Sequence, residues 1–233
     1  NEMEDCGAVY RKGGKPVDPF ELMHASGGNL VRVRIWNDAT WTRYSDLADV
    51  ARTIRRARAA GMQVLLDFHY SDDWADGDKQ IVPAAWANLD APQQAEALYH
   101  YTRGILAQLD AQGLMPEMVQ VGNETNPELM GGTKAAKINW ERNALLLNAG
   151  IRAVRDVLGP SVSLRLDANG AWTHGRALEV LEATASCRVA AVEQPLPRGP
   201  AEDLARLRRA TSVPLMADES LVTLADADAL IAA

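Results

Sequence analysis

Short apolar segments alternate along this chain with longer stretches in which apolar residues recur at helical spacing. The apolar segments are 30–36, 62–68, 117–121, 162–166, 188–192 and 213–216. Helical spacing covers about 46–60, between a capping Ser45 and a terminating Gly61, and then 92–112, 136–158, 173–185, 200–210 and 225–233. This alternation predicts an α/β fold of the (β/α)8 TIM-barrel type with a parallel sheet, in a single domain over 1–233.

Six strand–helix units are two fewer than a closed barrel requires, so the pattern predicts an incomplete barrel that lacks its first and last strands. A doubly wound open sheet accommodates six strands, but no glycine-rich phosphate fingerprint follows the first one. Unpaired strand edges invite other chains. We therefore expect self-association through open sheet edges, or coverage of those edges by a helix.

Composition and net charge limit the classes of partner that this chain can bind. The formal net charge is −7, which disfavours nucleic acid and anionic membranes, because both attract clustered basic residues. No apolar run approaches the length of a membrane span, and no secretory segment opens the chain. The start at Asn1 leads us to expect a processed, trimmed or engineered piece. Cys6 and Cys187 are far apart; two isolated thiols are favoured over a disulfide, and the compartment stays undecided.

Polar residues close the first three predicted strands, where barrel enzymes carry their chemistry. They are Arg34 and Trp36, then Asp67 and His69, then Asn123 and Glu124. An Asn–Glu pair after a buried strand suits general acid work on a glycosidic oxygen. The alternatives are a helix N-terminal charge for Glu124, a structural role for His69, and pairing of Arg34 with a carboxylate.

Two tryptophans lie in the long loop 71–88. Trp74 and Trp86 are candidates for stacking on sugar faces, and packing within the loop is the alternative.

Three acids, Asp167, Glu193 and Asp218, close the last three predicted strands at intervals of 26 and 25 residues, with Glu219 adjacent to the third. Carboxylates that converge on one mouth repel each other unless a hard cation neutralises them, and oxygen ligands suit Mg²⁺. The alternative is three independent helix caps. The regular spacing favours the magnesium site.

Segments 1–5, 29–36, 65–76 and 120–125 strongly resemble the endo-β-1,4-galactanases of glycoside hydrolase family 53. The resemblance assigns residues 1–158 to a galactanase-like part, which needs no cofactor. It implies that Glu124 is the acid/base residue at the end of barrel strand four and that Asn123 positions the substrate. It also implies a first strand before Asn1 and a nucleophilic glutamate on strand seven, near Asp218 or Glu219 by count.

Segments 164–172, 192–197 and 216–220 resemble the enolase superfamily, in the muconate lactonizing and o-succinylbenzoate synthase group. This resemblance assigns residues 159–233 to an enolase-like part. It implies Mg²⁺ ligation by Asp167, Glu193 and Asp218, and proton abstraction next to a carboxylate by lysines on flanking strands. Those lysines and the small capping domain are missing.

The two resemblances together predict a chimera, engineered or recombinant, with incomplete active sites and a junction near 151–158. Four functions stay open: a scaffold without turnover, hydrolysis of β-1,4-galactan with Glu124, a Mg²⁺-dependent lyase or isomerase, and galactan binding through Trp74 and Trp86. Localisation is undetermined, since relatives of the first part are exported and those of the second are cytoplasmic.

Overall fold

The computed structural model describes residues 1–125, 128–132, 138–159 and 164–233. The chain divides into two compact units, 1–160 and 161–233. That boundary lies close to the predicted boundary between the galactanase-like and enolase-like parts, at 158/159. The predicted single domain stays a prediction.

The first unit contains a parallel sheet with strand order β3-β4-β5 and an antiparallel hairpin, β1-β2. Its elements are α1 (Glu2–Asp5), β1 (Arg11–Lys12), β2 (Lys15–Pro16), α2 (Pro19–Ala25), β3 (Leu30–Ile35), α3 (Leu47–Ala59), β4 (Gln63–Phe68), α4 (Ala91–Asp110), β5 (Met118–Val121) and α5 (Trp140–Leu158). A short 3-10 turn covers Ala84–Trp86.

Helix α4 shows why these helices form. Asp90 and Gln93 make a reciprocal capping box, which satisfies backbone donors at the helix start. Along its length, Leu98, Leu106 and Leu109 are fully buried at helical spacing. Burial of each such leucine contributes about 1.5–3 kcal/mol. The apolar stripe of α4 therefore holds the helix in the core of the unit.

The N-cap of α3 is not the predicted residue. Ser45 does not cap this helix, because its φ of 61° is left-handed and its own N–H donates to Asp49 Oδ2 at 2.9 Å. Asp46 is the N-cap, and its Oδ1 accepts the Asp49 N–H at 2.8 Å. A carboxylate one position later thus occupies the capping role.

The second unit contains a parallel sheet with strand order β6-β7-β8. Its elements are β6 (Leu164–Asp167), α6 (His174–Ala183), β7 (Val189–Glu193), α7 (Ala201–Ala210), β8 (Leu215–Met216) and α8 (Leu224–Ala232). Ala177, Leu196 and Leu207 form its buried core, with Trp172 and Leu215 packed against them.

The predicted α/β class with parallel strand–helix repeats is confirmed, and each predicted apolar segment contains a strand. Residues 136–137 and 162–163 of the predicted elements lie outside the described residues. The elements within 1–28 were not predicted. Self-association through the outer strands of the two sheets stays a prediction. Among the described residues, no helix combines the length and apolar character needed to cross a membrane.

Candidate active site

The carboxyl ends of β3, β4 and β5 lie side by side. Their parallel register aligns Arg34 with Asp67, and Asp67 with Gln120. The structure therefore brings the predicted polar residues of three strands to one edge of the sheet, which is where (β/α) barrels carry their chemistry.

Asp67 is a buried carboxylate at this edge, 2% exposed. Its Oδ2 accepts hydrogen bonds from Arg32 Nε at 3.0 Å and Nη2 at 2.8 Å. His69 Nε2 lies 3.4 Å from the same oxygen, and His69 Nδ1 accepts the Ala75 N–H at 3.2 Å. Because Nδ1 is an acceptor, the neutral ring carries its proton on Nε2, towards Asp67. These contacts match the structural alternative for His69.

Asn123 is buried beside this carboxylate, and both ends of its amide are held by protein groups. Its Nδ2 donates to the Ala75 carbonyl at 2.8 Å. Its Oδ1 accepts from Arg32 Nη2 and from Gln120 Nε2, the latter at 3.4 Å. These contacts fix the orientation of the Asn123 amide at the strand end.

Glu124 follows in a left-handed conformation, with φ of 45°. Its Oε2 accepts the Gly77 N–H at 3.1 Å, and its backbone carbonyl accepts Gln80 Nε2 at 3.2 Å. The preceding Gly122 has φ of 86°, and a Cβ there would lie 2.6 Å from Thr125 Cγ2, so only glycine fits this turn. The carboxyl group is exposed and can meet a substrate.

Arg34 lies between two indole rings. Its Cζ is 4.7 Å from the ring centroid of Trp36 and 5.2 Å from that of Trp74. Trp36 is buried, whereas Trp74 is 43% exposed and packs edge-on against His69 at 5.2 Å. Cation–π contacts of this kind contribute about 0.5–2 kcal/mol each. They hold an exposed indole next to the strand ends, as a sugar platform requires.

Several buried polar atoms at this edge have no hydrogen-bond partner within the described ranges. They are Arg34 Nε, Trp36 Nε1 and Asp67 Oδ1. Unsatisfied buried groups are uncommon in folded proteins, and a bound polar molecule is one way to satisfy them. Their concentration here supports a ligand site.

Trp86 occupies a different position from Trp74. It is 8% exposed and packs against Tyr101 with ring centroids 5.8 Å apart, which favours the loop-packing alternative. Trp41, which the sequence argument did not single out, is exposed and lies 5.0 Å from Trp36. Its Nε1 donates to the Asp72 carbonyl at 3.2 Å, so the loops bring it to the site.

Three further residues were missed. Arg32 contacts Asp67 and Asn123, while Gly77 and Gln80 contact Glu124. Strand periodicity could have identified Arg32, because it lies two positions before Arg34 and so faces the same side of the strand. The other two come from a loop far away in sequence, and only the folded backbone brings them near.

The acids of the second unit lie on neighbouring strand ends. Asp167 is aligned with Glu193 in the register of β6 and β7. The pKa of Glu193 is raised, first by burial and then by the negative charges of Asp167, Asp218 and Glu219. Within the described ranges, no three His, Cys, Asp or Glu side chains form a group that could hold a metal ion.

The helix-cap alternative for these acids is wrong, since the N-caps of α6, α7 and α8 are Thr173, Pro200 and Thr223. Buried Gln194 was missed. Its Oε1 accepts the N–H groups of Asp218 at 2.9 Å and Ser220 at 3.1 Å, so it ties β7 to the segment after β8.

Comparisons with known proteins agree with the first resemblance. An arabinogalactan endo-beta-1,4-galactanase from Cellvibrio japonicus is 58% identical over 160 residues, which are 67% of this chain and 43% of that protein. An endo-beta-1,4-galactanase from Bacillus subtilis is 42% identical over 162 residues, 66% of this chain and 37% of that protein. The chain thus spans less than half the length of these relatives.

A solved structure of the family 53 catalytic domain from Ignisphaera aggregans matches with a TM-score of 0.73 at 29% identity, over 92% of this chain and 63% of that one. This likeness confirms the barrel-type α/β fold. The enolase-superfamily resemblance of residues 159–233 stays a prediction. The family model described as glycosyl hydrolase family 53 matches residues 1–183, so this chain belongs to glycosyl hydrolase family 53.

Proposed function

We propose that this chain acts on β-1,4-galactan as a glycoside hydrolase of the endo-β-1,4-galactanase type, with Glu124 as the proton donor. The observation that carries the proposal is the placement of Glu124, exposed at the end of β5 and held by a hydrogen bond from the Gly77 N–H at 3.1 Å. The printed names of the relatives supply the substrate class.

In this proposal Glu124 gives its proton to the glycosidic oxygen as the bond to the sugar breaks. Trp74 is an exposed indole that suits stacking on a pyranose ring, and Arg34 packs against it. Asn123 and Trp36 line the same strand ends, where the unsatisfied Nε1 of Trp36 suits a hydroxyl acceptor. His69 acts behind them, by supporting Trp74 and Asp67.

The test is release of reducing ends from β-1,4-galactan by the full chain and by its Glu124→Gln variant. Loss of a general acid costs about 10²–10⁴-fold in rate, so the variant should be slower by at least that lower bound. Glu21→Gln, which removes an exposed glutamate on α2, is the matched control and should keep the full rate. Equal rates for Glu124→Gln and the unchanged chain contradict the proposal.

Binding is measured alongside, by native electrophoresis in gels that contain galactan. Retarded migration without turnover would replace hydrolysis with the carbohydrate-binding alternative, and Trp74→Ala should then abolish the retardation. If the chain shows neither retarded migration nor turnover, the scaffold alternative remains. The hydrolysis and binding proposals for the first unit are then both wrong.

Magnesium binding by residues 161–233 is a second candidate. The register of Asp167 with Glu193 favours it, together with the burial and the neighbouring negative charges that raise the pKa of Glu193. The carboxylate oxygens of Asp167, Glu193 and Asp218 are donors that fit Mg²⁺, although the described side chains do not come together as a three-ligand group. When bound, Mg²⁺ neutralises such carboxylates and stabilises negative charge on a bound acid.

The proposal for this unit is Mg²⁺ binding alone, without proton abstraction, because residues 138–233 contain no lysine to serve as the base. Its test is a thermal melt with millimolar Mg²⁺, since a ligand of the native state raises the melting temperature. Asp167→Asn should remove the rise. An equal response in the two proteins would overturn the site.

A further inference from the structure

The segment 76–79 forms a tight turn beside Glu124. Asp76 N donates to the Lys79 carbonyl at 2.9 Å, and Lys79 N donates back to Asp76 at 3.2 Å. Neither Gly77 nor Asp78 has a positive φ, which fits a type I turn with Gly77 at its second position. Asp78 N is used within the turn, because it donates to Asp76 Oδ1 at 2.8 Å. The Gly77 N–H instead leaves the turn and reaches Glu124.

The residue after this turn holds the backbone of Glu124. Buried Gln80 donates from Nε2 to the carbonyls of Asn123 at 2.7 Å and Glu124 at 3.2 Å. The backbone of Gln80 is itself paired with Gly132, through bonds of 2.6 and 2.7 Å. The turn is thus anchored on both sides, and the direction of the Gly77 N–H is fixed relative to Glu124.

We propose that the Gly77 N–H positions the Glu124 carboxyl group by reserving Oε2 as an acceptor, so that the acidic proton resides on Oε1. An oxygen that already accepts an N–H bond is the poorer site for a proton. In the acid step the Oε1–H bond breaks, the proton moves to the glycosidic oxygen, and the electron pair of the breaking C–O bond goes to that oxygen, while water supplies the new C–O bond at the anomeric carbon and releases a proton to solvent. Gly77 is therefore a positioning residue, and this inference rests on the proposed role of Glu124 as proton donor.

The first test does not need turnover. The amide resonance of Gly77 is followed by ¹⁵N NMR from about pH 2.5 to about pH 8, through the range in which glutamates titrate. A bonded N–H reports the charge of its acceptor, so the resonance should shift with pH in the full chain and lose that shift in Glu124→Gln. Asp76, Asp78 and the Asp73–Lys79 pair also lie near Gly77. The shift that remains in Glu124→Gln measures their background, and an Asp78→Asn variant measures the share of Asp78. Equal titration in the unchanged chain and Glu124→Gln would overturn the proposal.

The second test compares Gly77→Pro with Gly77→Ala. Proline fits the second position of a type I turn but has no N–H, and alanine keeps the N–H while its Cβ meets Glu124 Oε2 at an ordinary 3.6 Å. Loss of a hydrogen bond to a charged group should lower kcat of the proline variant about tenfold relative to the alanine variant. KM and the melting temperature should agree between the two variants, and equal kcat values would contradict the positioning role.

The two tests separate the two proposals. If the unchanged chain has no turnover on galactan, the proposed function fails, and the NMR titration alone decides whether Gly77 and Glu124 are coupled.

Discussion

Removal of the Arg32 guanidinium should destabilise the first unit through Asp67. Arg32→Met keeps most of the aliphatic stem but leaves the Asp67 carboxylate, 2% exposed, with His69 as its remaining partner on Oδ2. The variant loses two charge-assisted bonds, of 3.0 and 2.8 Å, to one carboxylate oxygen. Hydrogen bonds to charged groups contribute about 1.5–3 kcal/mol each, and breaking a fully buried pair costs about 3–5 kcal/mol.

The Arg32 side chain is 51% exposed, so solvent screens part of this interaction. We therefore expect the free energy of unfolding to fall by about 2–3 kcal/mol, below the range for a fully buried pair. For a unit of this size the melting temperature should fall by roughly 4–10 °C. Urea unfolding followed by tryptophan fluorescence measures the loss, because five of the six tryptophans lie within 1–160.

The control is the double variant Arg32→Met with Asp67→Asn. An amide at position 67 removes the isolated buried charge, so the double variant should regain about 1 kcal/mol or more relative to Arg32→Met. A loss below about 1 kcal/mol in Arg32→Met would refute the reasoning, since exposed pairs contribute about 0.2–1 kcal/mol. A double variant less stable than the single one would show that the charge of Asp67 is satisfied without Arg32.

Two other predictions concern stability. Leu106→Ala empties a fully buried position on α4 and should lower the free energy of unfolding by about 2–5 kcal/mol, measured in urea, whereas a loss below about 1 kcal/mol would contradict the assigned core. The hydrogen bond from Arg56 lowers the pKa of Glu4, so the stability contributed by Glu4 is present above its ordinary value of 4.5 and is lost as the pH falls through the lowered pKa. Glu4→Gln should therefore melt at a lower temperature than the unchanged chain near neutrality and converge with it in acid; a constant difference across pH would contradict this.

The strands were predictable because each is a short apolar run that a helix with its own stop signal follows. Gly61 and Gly113, for example, end helical stretches with positive φ, as glycine allows. Residues 1–28 lack such runs, and their elements depend on local caps. At α2 the Asp18 Oδ1 accepts the Phe20 N–H at 2.8 Å ahead of a helix that begins with Pro19. The sequence contains this cap signal. A helix of seven residues, however, has too few apolar positions for their spacing to identify the helix.

The residues at strand ends were predictable for a geometric reason, since parallel strands deliver their carboxyl ends to one edge. Glu124 and Arg34 were found in this way. The partners that fix them were not, because they come from loops whose paths the sequence does not specify. Gly77 is 47 positions from Glu124 and acts through its backbone N–H, which every residue except proline carries. No side-chain pattern distinguishes such a donor.

Backbone strain at the strand ends occurs in each of the two units. Glu124 after β5 and Gln194 after β7 both have positive φ, 45° and 35°, although a non-glycine residue pays about 1–2 kcal/mol for that conformation. In each case a buried glutamine side chain offsets the cost. Gln80 donates to the carbonyls around Glu124, and Gln194 itself bonds to Ser220 through both ends of its amide.

An amide suits this task because it donates and accepts, and so can bind two backbone segments at once without a buried charge. The strained turn at Glu124 directs a carboxylate towards solvent, while the glutamine that holds the turn stays in the interior. The backbone that carries Glu124 is therefore held by the buried side chain of Gln80, which is not among the residues proposed to contact the substrate. The residues proposed to contact the substrate and the residues that determine their geometry form separate sets, and only the first set has a recognisable chemical signature in the sequence.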